Sequence, residues 1–283
     1  MTDIKNEIVS EEIVESKTDK LIGKITCGDC VDIMTNQMDA ESVDMVLCSP
    51  PYGQARDYNG FVFDYKTTIN SLYKIMKTGG VVVWVIADQT VKGSETGDSF
   101  RQALFFLEKG FLLHDTMIFQ KNTSSWPAQK TGARYSSIFE YMFVFSKNQK
   151  PNVANLLCDK QNHCEGLTNF KGAKTDRQKD GTLIKKADIK PVPKFSPRNN
   201  IWPYIVSGNI GNNAEAYSHP ATFPIALARD HLKTWSNEGD IVCDIMAGSG
   251  TTLLAAKELK RKWIGIDVSQ EYCNLMKKRL GII

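Results

Sequence analysis

The sequence predicts an α/β fold of the Rossmann-like kind: a mostly parallel sheet, helices on both faces and an inserted basic region. Three observations predict it. Short apolar runs rich in β-branched residues alternate with helically spaced apolar residues. A glycine-rich turn follows a run that ends in an acid. Residues 148–198 show little periodicity and carry a cluster of positive charge.

Taken in order, residues 1–20 are polar, rich in Glu, Asp and Lys, and read as a tail. Val43 to Cys48 is a strand. Val81 to Ala87 is a stronger one, preceded by a Gly79-Gly80 break. Ser99-Phe100-Arg101-Gln102 reads as a capping box opening a helix that ends at Lys109-Gly110. Tyr141 to Phe145 is a third strand. After the insertion, Asp240 to Asp244 is a strand, a helix follows from about Thr251, and Trp263 to Asp267 is the next strand. Tyr272, Leu275, Met276 and Leu280 then fall at helical spacing. The divisions are therefore 1–20, 21–147, 148–198 and 199–283, with the sheet domain split into two halves by the insertion.

The bulk numbers narrow the class. A 283-residue chain that is 42% hydrophobic can bury a sizeable core. Seven cysteines at irregular spacing argue for a reducing compartment rather than a disulfide framework. The acidic start shows no signal peptide, and no apolar stretch reaches the roughly 18 residues of a spanning helix. A cytoplasmic protein without membrane contact is expected. Net charge is only +3, but nine basic residues fall within 171–198, among them Lys171, Lys174, Lys185, Lys186 and Arg198, against three Asp. Such a run is often just a solvated face. A run this basic also reads as a surface for the phosphates of an anionic partner.

Asp244-Ile-Met246-Ala247-Gly248-Ser249-Gly250-Thr251-Thr252 is the first of two ligand-type motifs. Its glycines let a ligand approach the backbone, and a helix N-terminus offers free N–H groups. Asp267, 19 residues after Gly248, can hydrogen-bond ribose hydroxyls. Position 253 is Leu, so the third glycine of the dinucleotide fingerprint is missing. A ligand with ribose but no pyrophosphate fits better. A glycine turn without a ligand is the plain alternative.

Ser49-Pro50-Pro51-Tyr52 directly follows the first strand. Two prolines stiffen the backbone and lack N–H donors, leaving carbonyl acceptors beside a hydroxyl and an aromatic face. An exocyclic base amine, a poor nucleophile with a delocalised lone pair, needs such a set. The Ser49 hydroxyl and the Pro50 carbonyl can accept its two N–H bonds, and Tyr52 can stack on a flipped base. A rigid turn with a packed tyrosine is the plain alternative here.

Together, in this order and with the insertion between them, the motifs resemble the amino-methyltransferases of DNA, β group, which modify cytosine N4 or adenine N6. That resemblance implies a seven-stranded S-adenosylmethionine-dependent methyltransferase sheet, with 21–147 as catalytic half, 148–198 as target recognition insertion and 199–283 as cofactor-binding half. By the same likeness Asp29, Cys48, His219, Pro220, Ala221 and Phe223 join the glycine motif as cofactor contacts. Glu140 to Lys147 also fits the family pattern. One departure is Ile245-Met246, where the family usually has Pro-Phe. Met246 can still cover an adenine face.

Double-stranded DNA is the implied partner, and a homodimer and a cognate restriction endonuclease are further expectations. Arg56 is expected on a loop over the flipped base. Ser49 leans towards cytosine N4. Adenine N6, an RNA methyltransferase and a silent DNA-binding protein stand as alternatives. No metal is expected: Cys27-Gly-Asp-Cys30 has no second cysteine pair at metal spacing. No Pro-Cys dipeptide offers a covalent nucleophile. His114 and His231 are expected to be structural, and Trp126 and Trp202 either to stack on DNA or to join the core.

Overall fold

The run Val81 to Ile86 shows how the sheet is made. Val81, Val83 and Val85 pack into one core layer, and Val82, Trp84 and Ile86 into the other. A strand buried on both faces reads as an unbroken apolar run, as it must inside a sheet covered on both sides. The structure, a computed structural model, describes residues 15–52, 63–123, 134–168, 175–185, 190–206 and 223–282.

Eight strands make the main sheet: β1 (Lys24–Cys27), β2 (Val43–Cys48), β3 (Met76–Ile86), β4 (Phe111–Lys121), β5 (Phe139–Lys147), β6 (Ile201–Tyr204), β7 (Ile241–Asp244) and β8 (Lys262–Asp267). Their order across the sheet is β1-β8-β7-β2-β3-β5-β4-β6. Only β5 runs antiparallel to its neighbours. The strand beyond the seven expected is β6, at the edge beside β4. It contains Pro203, and an edge is where a strand tolerates the missing donor.

Among the described residues three helices cover each face. α1 (Cys30–Asn36), α2 (Tyr65–Ile75) and α3 (Asp98–Lys109) bury Met34, Leu72 and Phe106 in one layer. α4 (Ile225–Trp235), α5 (Thr251–Glu258) and α6 (Gln270–Arg279) bury Leu232, Leu253 and Met276 in the other. Phe106 stacks on Phe145 with centroids 4.1 Å apart, fastening α3 to β5. Among the described residues no helix is long and apolar enough to cross a membrane.

Two local expectations are corrected. α3 opens at Asp98 with Gly97 as its N-cap, and the Ser99 amide and hydroxyl both donate to Asp88 instead of forming a capping box. Its C-terminal glycine, Gly110, is left-handed as expected. The Gly79-Gly80 pair lies inside β3, where the register against β2 shifts, rather than before it.

The insertion is anchored at its base. Lys160–Gln161 pairs with Phe195–Ser196, so its two arms return together. A second ribbon joins Thr175–Arg177 to Leu183–Lys185. The Asn155 amide donates to the Thr234 carbonyl on α4, 2.8 Å away.

Candidate active site at the sheet switch point

From β7 the chain crosses by α5 to β8 on one side, and from β2 it crosses by α2 to β3 on the other. The direction of winding therefore reverses between β7 and β2. In open α/β sheets such a switch point, at the carboxyl ends of the strands, is the usual ligand position. The glycine motif leaves β7 and the proline motif leaves β2, so the two corners flank the same switch point. The β7–β2 register pairs Val242 with Met45 and Cys243 with Val46. Thr252, on the first turn of α5, reaches the Leu47 carbonyl of β2 at 3.4 Å.

The glycine corner is tightly held. Gly248 and Gly250 adopt φ of 52° and 78°, left-handed values that favour glycine. A Cβ on Gly250 would also meet Met276 Cγ at 2.9 Å. The Ala247 amide donates to Ile266 O at 2.9 Å, and the Gly248 amide donates to Asp267 Oδ2 at 2.8 Å. Arg279 on α6 donates to the Ser249 carbonyl. Gly250 caps α5 without a side-chain bond, so the helix's first amides keep their donor capacity. Ser249, Thr251 and Thr252 are buried, and Met246 packs half-buried against the core layer of α1 to α3.

Asp244 ends β7 and Asp267 ends β8, and both are buried. Burial pushes the Asp244 carboxyl up to about 7, against hydrogen bonds from Thr252 and the Met246 amide that draw it down. Burial likewise raises Asp267, while the Ser269 and Gly248 amides oppose it. Among the described residues no ion pair includes either carboxylate. Two desolvated acids lacking a counter-ion favour a cationic ligand. Asp29, exposed at the end of β1, accepts the Val31 and Asp32 amides as the cap of α1. Cys48 and Cys243 are buried thiols pushed well above their ordinary value by desolvation.

At the proline corner, Pro50 is buried while Ser49, Pro51 and Tyr52 are half-buried. Ser49 Oγ and the Tyr52 hydroxyl are 2.9 Å apart. The Tyr52 hydroxyl donates to Glu140 Oε2 at 2.9 Å, and Lys121 pairs with the other oxygen of Glu140. Composition and spacing did not single out Glu140 as part of the site. The signal was an acid inside the otherwise apolar run Phe139 to Phe145.

The remaining expectations divide. Phe223 precedes α4 and packs on the layer of α4 to α6. Lys185 closes a ribbon strand in the insertion. His219, Pro220, Ala221, Arg56, Lys171, Lys174, Lys186 and Trp126 lie outside the described residues. Arg198 shows a geometry unlike a free phosphate ligand. Its guanidinium binds Asp159 through Nε at 2.8 and 2.7 Å, binds Asp230 at 2.6 Å and lies over Trp202. Trp202 is in the core, its indole donating to the Asn199 carbonyl. His231, wholly buried beside Met142 and Trp202, is pushed down to about 3 by desolvation and stays neutral. His114 packs edge-on against Trp235. Among the described residues no group of three or more His, Cys, Asp or Glu is placed to hold a metal ion.

Fold and site define a class: an α/β protein with a glycine corner and a proline corner at one switch point of its sheet. A family model for DNA methylases of the N6/N4 type matches residues 43–278. The chain is 47% identical over 242 residues to the orphan methyltransferase M.BamHII of Bacillus amyloliquefaciens, covering 84% of this chain and 89% of that one. The PvuII DNA methyltransferase, cytosine-N4-specific, superposes with a TM-score of 0.63 at 21% identity, covering 91% of this chain and 89% of that one. The M1.HpyAVI–SAM complex gives 0.56 at 22% identity, covering 90% and 98%. The chain belongs to the N6/N4 DNA methylase family and is an S-adenosylmethionine-dependent DNA methyltransferase.

Proposed function

We propose that this methyltransferase acts on cytosine N4 in double-stranded DNA, at a base rotated out of the duplex into the switch-point crevice. One observation carries the reading: the Ser49-Pro50-Pro51-Tyr52 corner and the glycine corner leave adjacent parallel strands. A base amine on one corner and a cofactor on the other are then neighbours by construction, which is how an enzyme lowers a bimolecular barrier.

The residues present fit S-adenosylmethionine. Asp267 has lone pairs left for the ribose after serving two amides. Asp244 offers a buried negative charge to a cationic group. Met246, Ala247 and Phe223 supply apolar cover, the backbone from Gly248 to Thr252 allows close approach, exposed Asp29 lies at the rim, and Cys48, its thiol buried in the core, contributes through its backbone. His219, Pro220 and Ala221 complete the cofactor set by family likeness. When bound, the cofactor supplies a methyl group already activated on a sulfonium. Ser49 Oγ and the Pro50 carbonyl accept the amine N–H bonds and localise the nitrogen lone pair. Pro51 keeps the corner rigid, and Tyr52 presents its ring to the base.

Lys171, Lys174, Lys185, Lys186 and Arg56 are the cations assigned to DNA by their place in the sequence, the lysines within the basic run of the insertion and Arg56 just after the proline motif. Arg198, engaged by two carboxylates, holds the insertion to α4 rather than meeting DNA. Exposed Phe100, Leu104 and Leu107 make an apolar stripe on α3 that suits a homodimer contact. A cognate restriction endonuclease would share the enzyme's target sequence.

Tritium transfer from labelled S-adenosylmethionine to duplex DNA, followed by nucleoside analysis, tests the reading. N4-methylcytosine is expected. N6-methyladenine would reassign the base, and label on RNA but not DNA would overturn the substrate. Sedimentation of a Leu104→Glu variant tests the dimer, which should dissociate.

A further inference from the structure

The hydrogen bonds at the proline corner do more than hold Tyr52 in place. A tyrosine hydroxyl has one proton to give. Among its acceptors are Glu140 Oε2 at 2.9 Å and the Val85 carbonyl at 3.4 Å. The shorter bond to the carboxylate takes the proton, because a charged acceptor binds more strongly. Ser49 Oγ, 2.9 Å from the same tyrosine oxygen, must then be the donor in that pair. With its own proton turned towards Tyr52, Ser49 presents only lone pairs to the crevice.

We propose that Glu140 is a positioning residue for methyl transfer. It fixes the direction of the chain Ser49 to Tyr52 to Glu140, so that Ser49 acts as an acceptor and not a donor. The proposal rests on the reading that Ser49 receives a base amine. A donor at that position would oppose the amine and compete for its lone pair. Lys121, bound to the other oxygen of Glu140, keeps the carboxylate turned towards Tyr52. The chain also balances the reaction. Forming the nitrogen–carbon bond while the cofactor's carbon–sulfur bond breaks leaves a surplus proton on nitrogen. That proton passes to Ser49 Oγ as Ser49 yields its own to Tyr52 and Tyr52 yields its own to Glu140.

The test compares Glu140→Gln, Tyr52→Phe and the double variant in single-turnover methyl transfer. Cofactor affinity and the fluorescence of 2-aminopurine at the target base are measured alongside. A glutamine amide can donate to the tyrosine oxygen and reverse the chain, and phenylalanine cuts it while keeping the ring. Each single variant is expected to lose about ten- to hundred-fold in rate, the worth of one charge-assisted hydrogen bond. The double variant should lose no more than the worse single one. Cofactor affinity and the flipping signal should match the parent. A parental rate in Glu140→Gln, or losses that multiply in the double variant, overturns the proposal. Should Glu140→Gln fold poorly, Tyr52→Phe tests the same chain from its middle, and a parental rate there is equally fatal. Ser49→Ala separates the layers. A parental rate in that variant overturns the amine-acceptor reading itself, whereas an inert Ser49→Ala beside a parental Glu140→Gln overturns only the role of Glu140.

Discussion

The Gly248 amide donates to the Asp267 carboxylate across 2.8 Å, tying the turn after β7 to the end of β8. The other Asp267 oxygen accepts the Ser269 amide at 2.9 Å. One side chain therefore shapes the cofactor corner and starts α6. Asp267→Ala leaves two amides without their acceptor and should cost about 1–3 kcal/mol of stability. Cofactor binding should be lost with it. Asp267→Asn keeps one acceptor oxygen and should cost less. Thermal unfolding with and without S-adenosylmethionine checks both, and a cofactor-induced shift in Asp267→Ala equal to the parent's would refute this role.

Asp244 makes cofactor binding depend on pH. Because burial raises its carboxyl to about 7, the free enzyme holds a proton there below that pH. A sulfonium cation nearby favours the carboxylate, so binding releases the proton. Affinity should rise with pH up to about 7 and level off above it. Titration calorimetry in two buffers of different ionisation heat measures both the affinity and the proton count. A flat affinity from about pH 5.5 to pH 7.5 would remove Asp244 from the cationic part of the pocket.

Arg198 is expected to act on stability and not on DNA charge. Its removal leaves Asp159 and Asp230 facing each other without their shared cation. Arg198→Ala should cost about 1–2 kcal/mol, modest because the side chain is partly solvated. The slope of log affinity for DNA against log salt should stay at the parent value. Substituting Lys171 or Lys174 should instead flatten that slope by about 1. A flattened slope in Arg198→Ala would place this side chain on a phosphate.

Much of the fold was legible because its interior strands announce themselves. Val81 to Ile86 and Trp263 to Asp267 are buried on both faces and so read as unbroken apolar runs. Strand β4 was harder. Leu112 to His114 are exposed near its start, so no period-two face emerges there. β6 was hidden by Pro203, which only an edge position tolerates. The Ser99 box failed because Asp88, 11 residues earlier, takes the serine's hydrogen bonds. Both corners of the site were legible as local motifs. Glu140 was not, because its partner Tyr52 lies 88 positions away and the pairings of β2 with β3 and of β3 with β5 are both needed to bring them together.

The most direct test of two corners serving one crevice is to remove the base-facing ring and ask whether the cofactor still binds. For Tyr52→Ala, which removes both the ring and the hydroxyl between Ser49 and Glu140, the methyl-transfer rate should fall further than in Tyr52→Phe, by about another 5- to 150-fold for the lost base–aromatic stack. The dissociation constant for S-adenosylmethionine should stay at the parent value. Equal loss of transfer and cofactor binding would contradict the division of labour between the proline and glycine corners.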